Sequence, residues 1–250
     1  NIVREQLEYR ASGTRQRNIS PKDVYDVEVF VPEYEVQKKI GKALYKLEQK
    51  VNTNNKINAE LEAMAKTIYD YWFLQFEFPN EEGKPYKSSG GKMVWNDELK
   101  REIPEGWEVV RLKEIFSFIK GKIPEELFEE MGEERYSYIT IDVANGGKSQ
   151  YCKADNMPFC NGEVIMVMDG AASGDIYIGN FGVLGSTFAM LKKERRDISD
   201  AMIYCVLNSQ QEVYKKANTG STVPHANRKF VEEMKIPIYK DMTKFSNMLN

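Results

Sequence analysis

The apolar positions of the chain follow two different rhythms. From Pro32 onward, Ile40, Leu44, Leu47 and Val51, then Ile57, Leu61, Met64, Ile68 and Tyr71, recur mostly at steps of three and four. That is the spacing of a coiled-coil seam along an α-helix. Polar Asn52-Thr-Asn-Asn55 interrupts the stripe, which predicts either a register-setting polar layer or a kink. A helix over residues 33–76 would be roughly 60 Å long at ~1.5 Å per residue, more than one small domain covers. It calls for a partner helix, in cis or in trans.

Beyond that helix the pattern shortens. The aromatic run Tyr71-Trp-Phe-Leu-Gln-Phe-Glu-Phe78 gives way to Pro79, Gly83, Pro85, Ser88, Ser89, Gly90 and Gly91 among charges, which predicts an exposed connector over 77–103. A strand running into a short helix is expected from Trp107. Short β-rich runs follow at 137–141, 164–168, 176–178 and 187–191, separated by Gly, Asn and Asp turns, and 201–216 reads as a helix. The expected class is α+β: a globular domain with an irregular β-sheet over 104–240, joined to a long coiled-coil-type spacer helix.

A second regularity has a far longer period. Gly13, Thr14, Asn18 and Val24 are matched at one constant offset, without gaps, by Gly220, Ser221, His225 and Val231. Each set opens a Gly-Ser/Thr loop that leads to a short apolar strand, Val27-Glu-Val-Phe-Val-Pro32 in the first copy and Met234-Lys-Ile-Pro-Ile238 in the second. Such a period points to duplication of a whole module, present here once whole and once in part. The chain opens inside one copy, with neither an initiating Met nor an apolar signal core, and reads as a fragment of a longer protein.

Composition narrows the function. A net charge of −3 weighs mildly against holding nucleic acid by bulk electrostatics, so charge must be read locally. No run of eighteen apolar residues occurs, and no membrane span is predicted. Cys152, Cys160 and Cys205 form no Cys-x-x-Cys pair, which fits reduced thiols in a cytoplasmic protein rather than zinc ligands. His225 is the only histidine, which leaves a multi-histidine metal site or a catalytic triad without members. Asp142-Val-Ala-Asn-Gly-Gly-Lys-Ser149 ends like a phosphate-binding loop, but Asp142 stands where the first Gly is required. Neither a cofactor-binding Gly-rich turn nor an Asn/Asp-Pro-Pro-aromatic loop is present. No cofactor, metal or catalytic residue is therefore expected.

Five strings carry a resemblance: Leu61 to Pro79, Gly83 to Trp95, Ile103-Pro-Glu-Gly-Trp-Glu108, Met168-Asp-Gly-Ala-Ala-Ser-Gly174 and Gly185-Ser-Thr-Phe188. With the Gly-Ser-Thr-Val-Pro-His loop at 220–225, they carry a match that covers nearly the whole chain. In this order they resemble the specificity subunit of type I restriction-modification systems. The resemblance implies two target-recognition domains separated by long helices that pack antiparallel. On that pattern 1–32 would be the C-terminal part of the first recognition domain and 33–76 the central spacer helix. Residues 77–103 would be the connector, 104–240 the second recognition domain and 241–250 the start of the distal helix. Most of the first recognition domain and of the second spacer helix have no counterpart in this chain.

The resemblance further implies a non-catalytic subunit that binds double-stranded DNA at a split target. It would bring methyltransferase subunits and, through the complex, a restriction subunit, with methylation left to a partner that supplies S-adenosylmethionine. The stripe Ile40, Leu44, Leu47, Val51, Ile57, Leu61, Met64 and Ile68, with Trp72, would be the partner interface. Two other readings stay open: the target-recognition portion of a fused restriction-methyltransferase enzyme, and a coiled-coil assembly scaffold that never touches DNA.

Reading DNA takes cations for phosphates, and amides, hydroxyls or Arg for base edges. Ser221, Thr222, His225, Arg228 and Lys229 sit in one Gly-initiated loop, whose first-copy counterpart holds Thr14, Arg15, Gln16, Arg17 and Asn18. Lys120, Lys122 and Lys148 are further cationic tips, though surface lysines near turns are common. Arg195 and Arg196 belong to a basic cluster with Lys192 and Lys193. Tyr138 can contact a sugar or base or belong to the core. Ser173 can bond a base or its own backbone. The acidic run from Glu125 to Glu134 reads as a solvated helix face turned away from DNA.

Overall fold

A computed structural model describes residues 2–13, 17–220, 223–243 and 245. They divide into two compact units, Asn1–Glu60 and Leu61–Asn250.

The first unit holds α1 (Ile2–Arg10), α2 (Pro21–Tyr25) and the larger part of α3 (Tyr34–Tyr69). Helical structure continues through Asn52–Asn55, so the polar interruption is absorbed without breaking the helix. Gln6 brackets the backbone of Glu28, donating from Nε2 to its carbonyl at 2.7 Å and accepting from its N–H at 3.0 Å. Arg10 donates to the carbonyl of Asp26 at 2.8 Å. The strand expected over 27–31 does not form. No strand pairs with it among the described residues, and Glu28 satisfies its backbone N–H and C=O through the Gln6 side chain instead of a ladder partner. Phe30 is accordingly 94% exposed.

In the second unit the end of α3 passes through a π-helical turn at Asp70–Leu74. Then come β1 (Met93–Asn96), β2 (Arg101–Pro104), β3 (Trp107–Arg111), β4 (Phe116–Lys120), β5 (Arg135–Ile139), α4 (Ile141–Ala144), β6 (Tyr151–Lys153) and β7 (Phe159–Asn161). After them lie β8 (Ile165–Val167), β9 (Ile176–Tyr177), β10 (Phe181–Leu184), β11 (Phe188–Lys193), α5 (Asp200–Ser209), α6 (Gln211–Lys216), α7 (Arg228–Glu233) and β12 (Lys235–Tyr239). Two four-stranded sheets, ordered β6-β5-β10-β7 and β4-β11-β8-β9, are accompanied by the two-stranded pairs β1-β2 and β12-β3. The α+β class with an irregular sheet is thus observed, together with the long helix.

The core explains two departures from expectation. Residues 77–103 are not a wholly exposed connector. Phe78 stacks on Tyr86 and Trp107, with ring centroids 4.7 and 5.2 Å apart, and Ile103 is buried at the end of the β1-β2 hairpin. Burying these large apolar groups outweighs the turn-forming composition around them. The helix expected over 201–216 is divided at Gln210 into α5 and α6, the first packed in the core through Met202, Ile203, Val206 and Leu207.

Candidate nucleic-acid interface

The two sequence copies share a local structure. In the first, Ser12 and Asn18 form an isolated antiparallel bridge, and in the second the residues at the same offset, Thr219 and His225, do the same. The loops close through paired backbone hydrogen bonds, 3.1 and 2.8 Å between Ser12 and Asn18, 2.9 and 2.7 Å between Thr219 and His225. Gly13 and Gly220 follow the first bridged residue at φ 115° and 90°, a conformation that costs an L side chain and costs glycine little. Each loop then runs into a short helix whose N-cap occupies the repeated position. Ser20 Oγ accepts from the N–H of Asp23, and Asn227 Oδ1 accepts from that of Phe230. The duplication is therefore one of bridged loop, cap and helix.

The second copy is built into a site. Its loop lies against the turn after β8: Gly170 N–H donates to Pro224 O at 2.9 Å, and Ala226 N–H to Met168 O at 2.8 Å. Asp169 and His225 form a further bridge, across which the ring Nδ1 lies 2.9 Å from Asp169 Oδ1. Lys120, at the end of β4, reaches the other oxygen of the same carboxylate. Two residues back on that strand, Phe118 carries the Arg228 guanidinium 5.4 Å above its ring, while Arg228 Nε donates to Glu232. Lys120, Asp169, His225 and Arg228 thus adjoin, and the first three keep about half of their side-chain surface.

Desolvation alone would raise the Asp169 pKa. Hydrogen bonds from Lys120 and His225, with their charges, outweigh it and hold this carboxyl below the ordinary aspartate range.

The other sequence candidates fall in different settings. Ser173 is 2% exposed, and its hydroxyl lies 2.6 and 2.7 Å from the carbonyls of Gly170 and Pro224. Of its two readings, the backbone bond is the one formed, and it ties the turn to the loop. Tyr138 is buried, with its hydroxyl donating to Lys122 O and accepting from Ser186 N–H, so it belongs to the core. Lys122 Nζ donates to Asn156 O at 2.9 Å. Lys148 pairs with Glu129 at 2.9 Å. Arg195 makes two hydrogen bonds to Asp197 and approaches Glu108, a structural arrangement, whereas Arg196 and Lys229 are exposed. Ser221 and Thr222 lie outside the described residues, as do Thr14, Arg15 and Gln16.

The acidic run is not a helix. Pro124 precedes it and Gly132 interrupts it, and Phe128 exchanges backbone hydrogen bonds with Tyr151, which holds the segment irregular and sets Glu129 against Lys148 and Gln150. The stripe on α3 is largely uncovered: Ile40, Leu44, Leu47, Val51, Ile57, Leu61 and Met64 are all exposed, and Ile68 is half-buried. Trp72 packs edge-on against Phe245, with centroids 5.9 Å apart.

Asp169 is the residue that sequence reasoning missed. Its Asp-Gly turn was visible, but nothing local marks a carboxylate that meets a histidine 56 residues away.

Residues 104–240 match the model of the family described as type I restriction modification DNA specificity domain, and the chain belongs to that family. It is 30% identical over 139 residues to the MjaVIII type I restriction enzyme specificity subunit of Methanocaldococcus jannaschii, an alignment that covers 54% of this chain and 33% of that protein. To the MjaIX specificity subunit of the same organism it is 34% identical over 118 residues, 47% of this chain and 25% of the relative. The matched stretches are thus a third and a quarter of those proteins. A solved type I restriction-modification S subunit from M. genitalium shares the fold, with a TM-score of 0.52 at 20% identity, over 98% of this chain and 62% of that one.

Proposed function

We propose that this chain is part of a non-catalytic DNA-specificity subunit whose residues 104–240 read one half of a split double-stranded target. Methylation and cleavage belong to partner methyltransferase and restriction subunits. The observation that carries this reading is the duplicated bridged loop. Its second copy brings His225, Arg228 and Lys120 to one surface spot, where a half-exposed imidazole has cations beside it. Phosphates would be met by the exposed Lys229 and Arg196 and by Arg228 and Lys120 beside their carboxylates Glu232 and Asp169, with Lys122 and Lys148 available once their present partners yield. The exposed stripe of α3 would pair with a second spacer helix, in cis or in trans, and set the distance between half-sites.

Binding of a duplex DNA pool at several salt concentrations tests the reading. Replacing Arg228 and Lys229 by Ala should weaken binding across sequences and lower the slope of log K against log salt by about 0.9 for each phosphate that is no longer neutralised. A coiled-coil scaffold that never touches DNA would leave affinity and slope unchanged.

A further inference from the structure

We infer that His225 reads a base directly, accepting at Nε2 a hydrogen bond from an exocyclic amino group in the major groove, and that Asp169 is the positioning residue that fixes the ring for this task. The inference rests on the reading of residues 104–240 as a DNA-recognition domain.

Asp169 is ionised and therefore only accepts hydrogen bonds. One oxygen takes the Lys120 ammonium, and the other lies 2.9 Å from His225 Nδ1, so Nδ1 must carry the proton. In the neutral ring Nε2 is then a bare acceptor. The backbone of His225 is pinned on both sides, bridged to Thr219 and to Asp169, with Ala226 N–H bonded to Met168 O, and the Asp169 carboxylate then holds the ring through Nδ1. Half of the side chain remains exposed, and no hydrogen bond to Nε2 is formed among the described residues.

A phosphate oxygen is the wrong partner for such a nitrogen. Both are acceptors. The neighbouring charges divide the work: Lys120 neutralises Asp169, and Arg228 on α7, bonded to Glu232, supplies a cation to one side. In the major groove an acceptor finds donors at the amino groups of adenine N6 and cytosine N4. His225 therefore selects which strand carries the adenine or cytosine at one base-pair position. The duplicated module places Asn18 where the second has His225, and an amide offers a donor beside an acceptor. Different residues at the equivalent bridged position fit two modules that read different half-sites.

The test is selection from a randomised duplex pool by the 250-residue chain, followed by binding of single duplexes. Wild-type protein should enrich sequences with adenine or cytosine on one strand at one position. Replacing that base by its analogue without the amino group, purine or 2-pyrimidinone, should weaken wild-type binding roughly tenfold. It should have no further effect on His225→Ala, whose own loss should be of the same size. His225→Gln, which keeps an acceptor, should recover part of the preference. Asp169→Asn lets the ring take the opposite tautomer and should move the preference at that position toward guanine or thymine. Retention of every base preference by His225→Ala, or equal binding of the amino-free duplex by wild type, would overturn the inference while leaving the domain a DNA reader. Failure of wild-type protein to enrich any sequence would remove that reading and the inference with it.

Discussion

Asp169 and His225 meet twice, through a backbone bridge and through a side-chain contact of 2.9 Å between Oδ1 and Nδ1. The pair joins the turn after β8 to the duplicated loop, so the position of the loop depends on a residue outside the repeat.

The Asp169 carboxyl titrates below its ordinary range in the folded protein, because the bonds and charges of Lys120 and His225 outweigh desolvation. A depressed carboxyl pKa adds stability that is fully present above the unfolded value, near ~4, and is lost as pH falls through the folded one. With the group 42% exposed, the contribution is at most about 1 kcal/mol after solvent screening. Denaturant midpoints measured between about pH 7 and pH 3 should fall less steeply for Asp169→Asn than for wild type. Parallel curves would refute the linkage.

Ser173→Ala removes the buried hydroxyl that meets the Gly170 and Pro224 carbonyls. Both carbonyls keep a backbone N–H donor, from Ser173 and Gly170, so the expected destabilisation is about 0.5–1.5 kcal/mol, read from urea unfolding, with faster amide exchange at Gly170 and His225. A variant as stable as wild type would show that these carbonyls do not need the hydroxyl.

The uncovered stripe on α3 should drive association. Sedimentation of the chain should show a concentration-dependent oligomer, reduced to monomer when Leu44 and Leu47, 60% and 61% exposed, are both replaced by Glu. A wild-type chain that stays monomeric at every concentration would exclude pairing of this stripe in trans.

Legibility in the sequence follows the range of the physics. The helix is readable because the same three-and-four spacing appears on both sides of Asn52–Asn55 within the 36 residues of α3, and the runs at 164–168 and 187–191 fall on β8 and β11 because buried strands are continuously apolar there. By contrast β4 was hidden. Phe116-Ser-Phe-Ile-Lys120 alternates buried and half-buried positions, but it adjoins the run expected as a short helix, and its pairing with β11, such as Phe118 opposite Leu191, is non-local. The same cause separates the site residues. His225 could be singled out because its loop is repeated, whereas the buried state of Ser173 and the partnership of Asp169 arise only when the turn and the loop meet. Arg195 looked like its neighbour Arg196 in sequence, and only tertiary structure set one against Asp197 and left the other exposed.

The most direct test of half-site reading is a map of methylated adenines in cells that express a type I specificity subunit carrying residues 104–240 of this chain together with methyltransferase subunits, before and after that segment is exchanged for the corresponding segment of a related domain. One half of a split motif should change while the other half stays fixed. A methylation map that does not move would contradict the reading of this domain as a half-site reader.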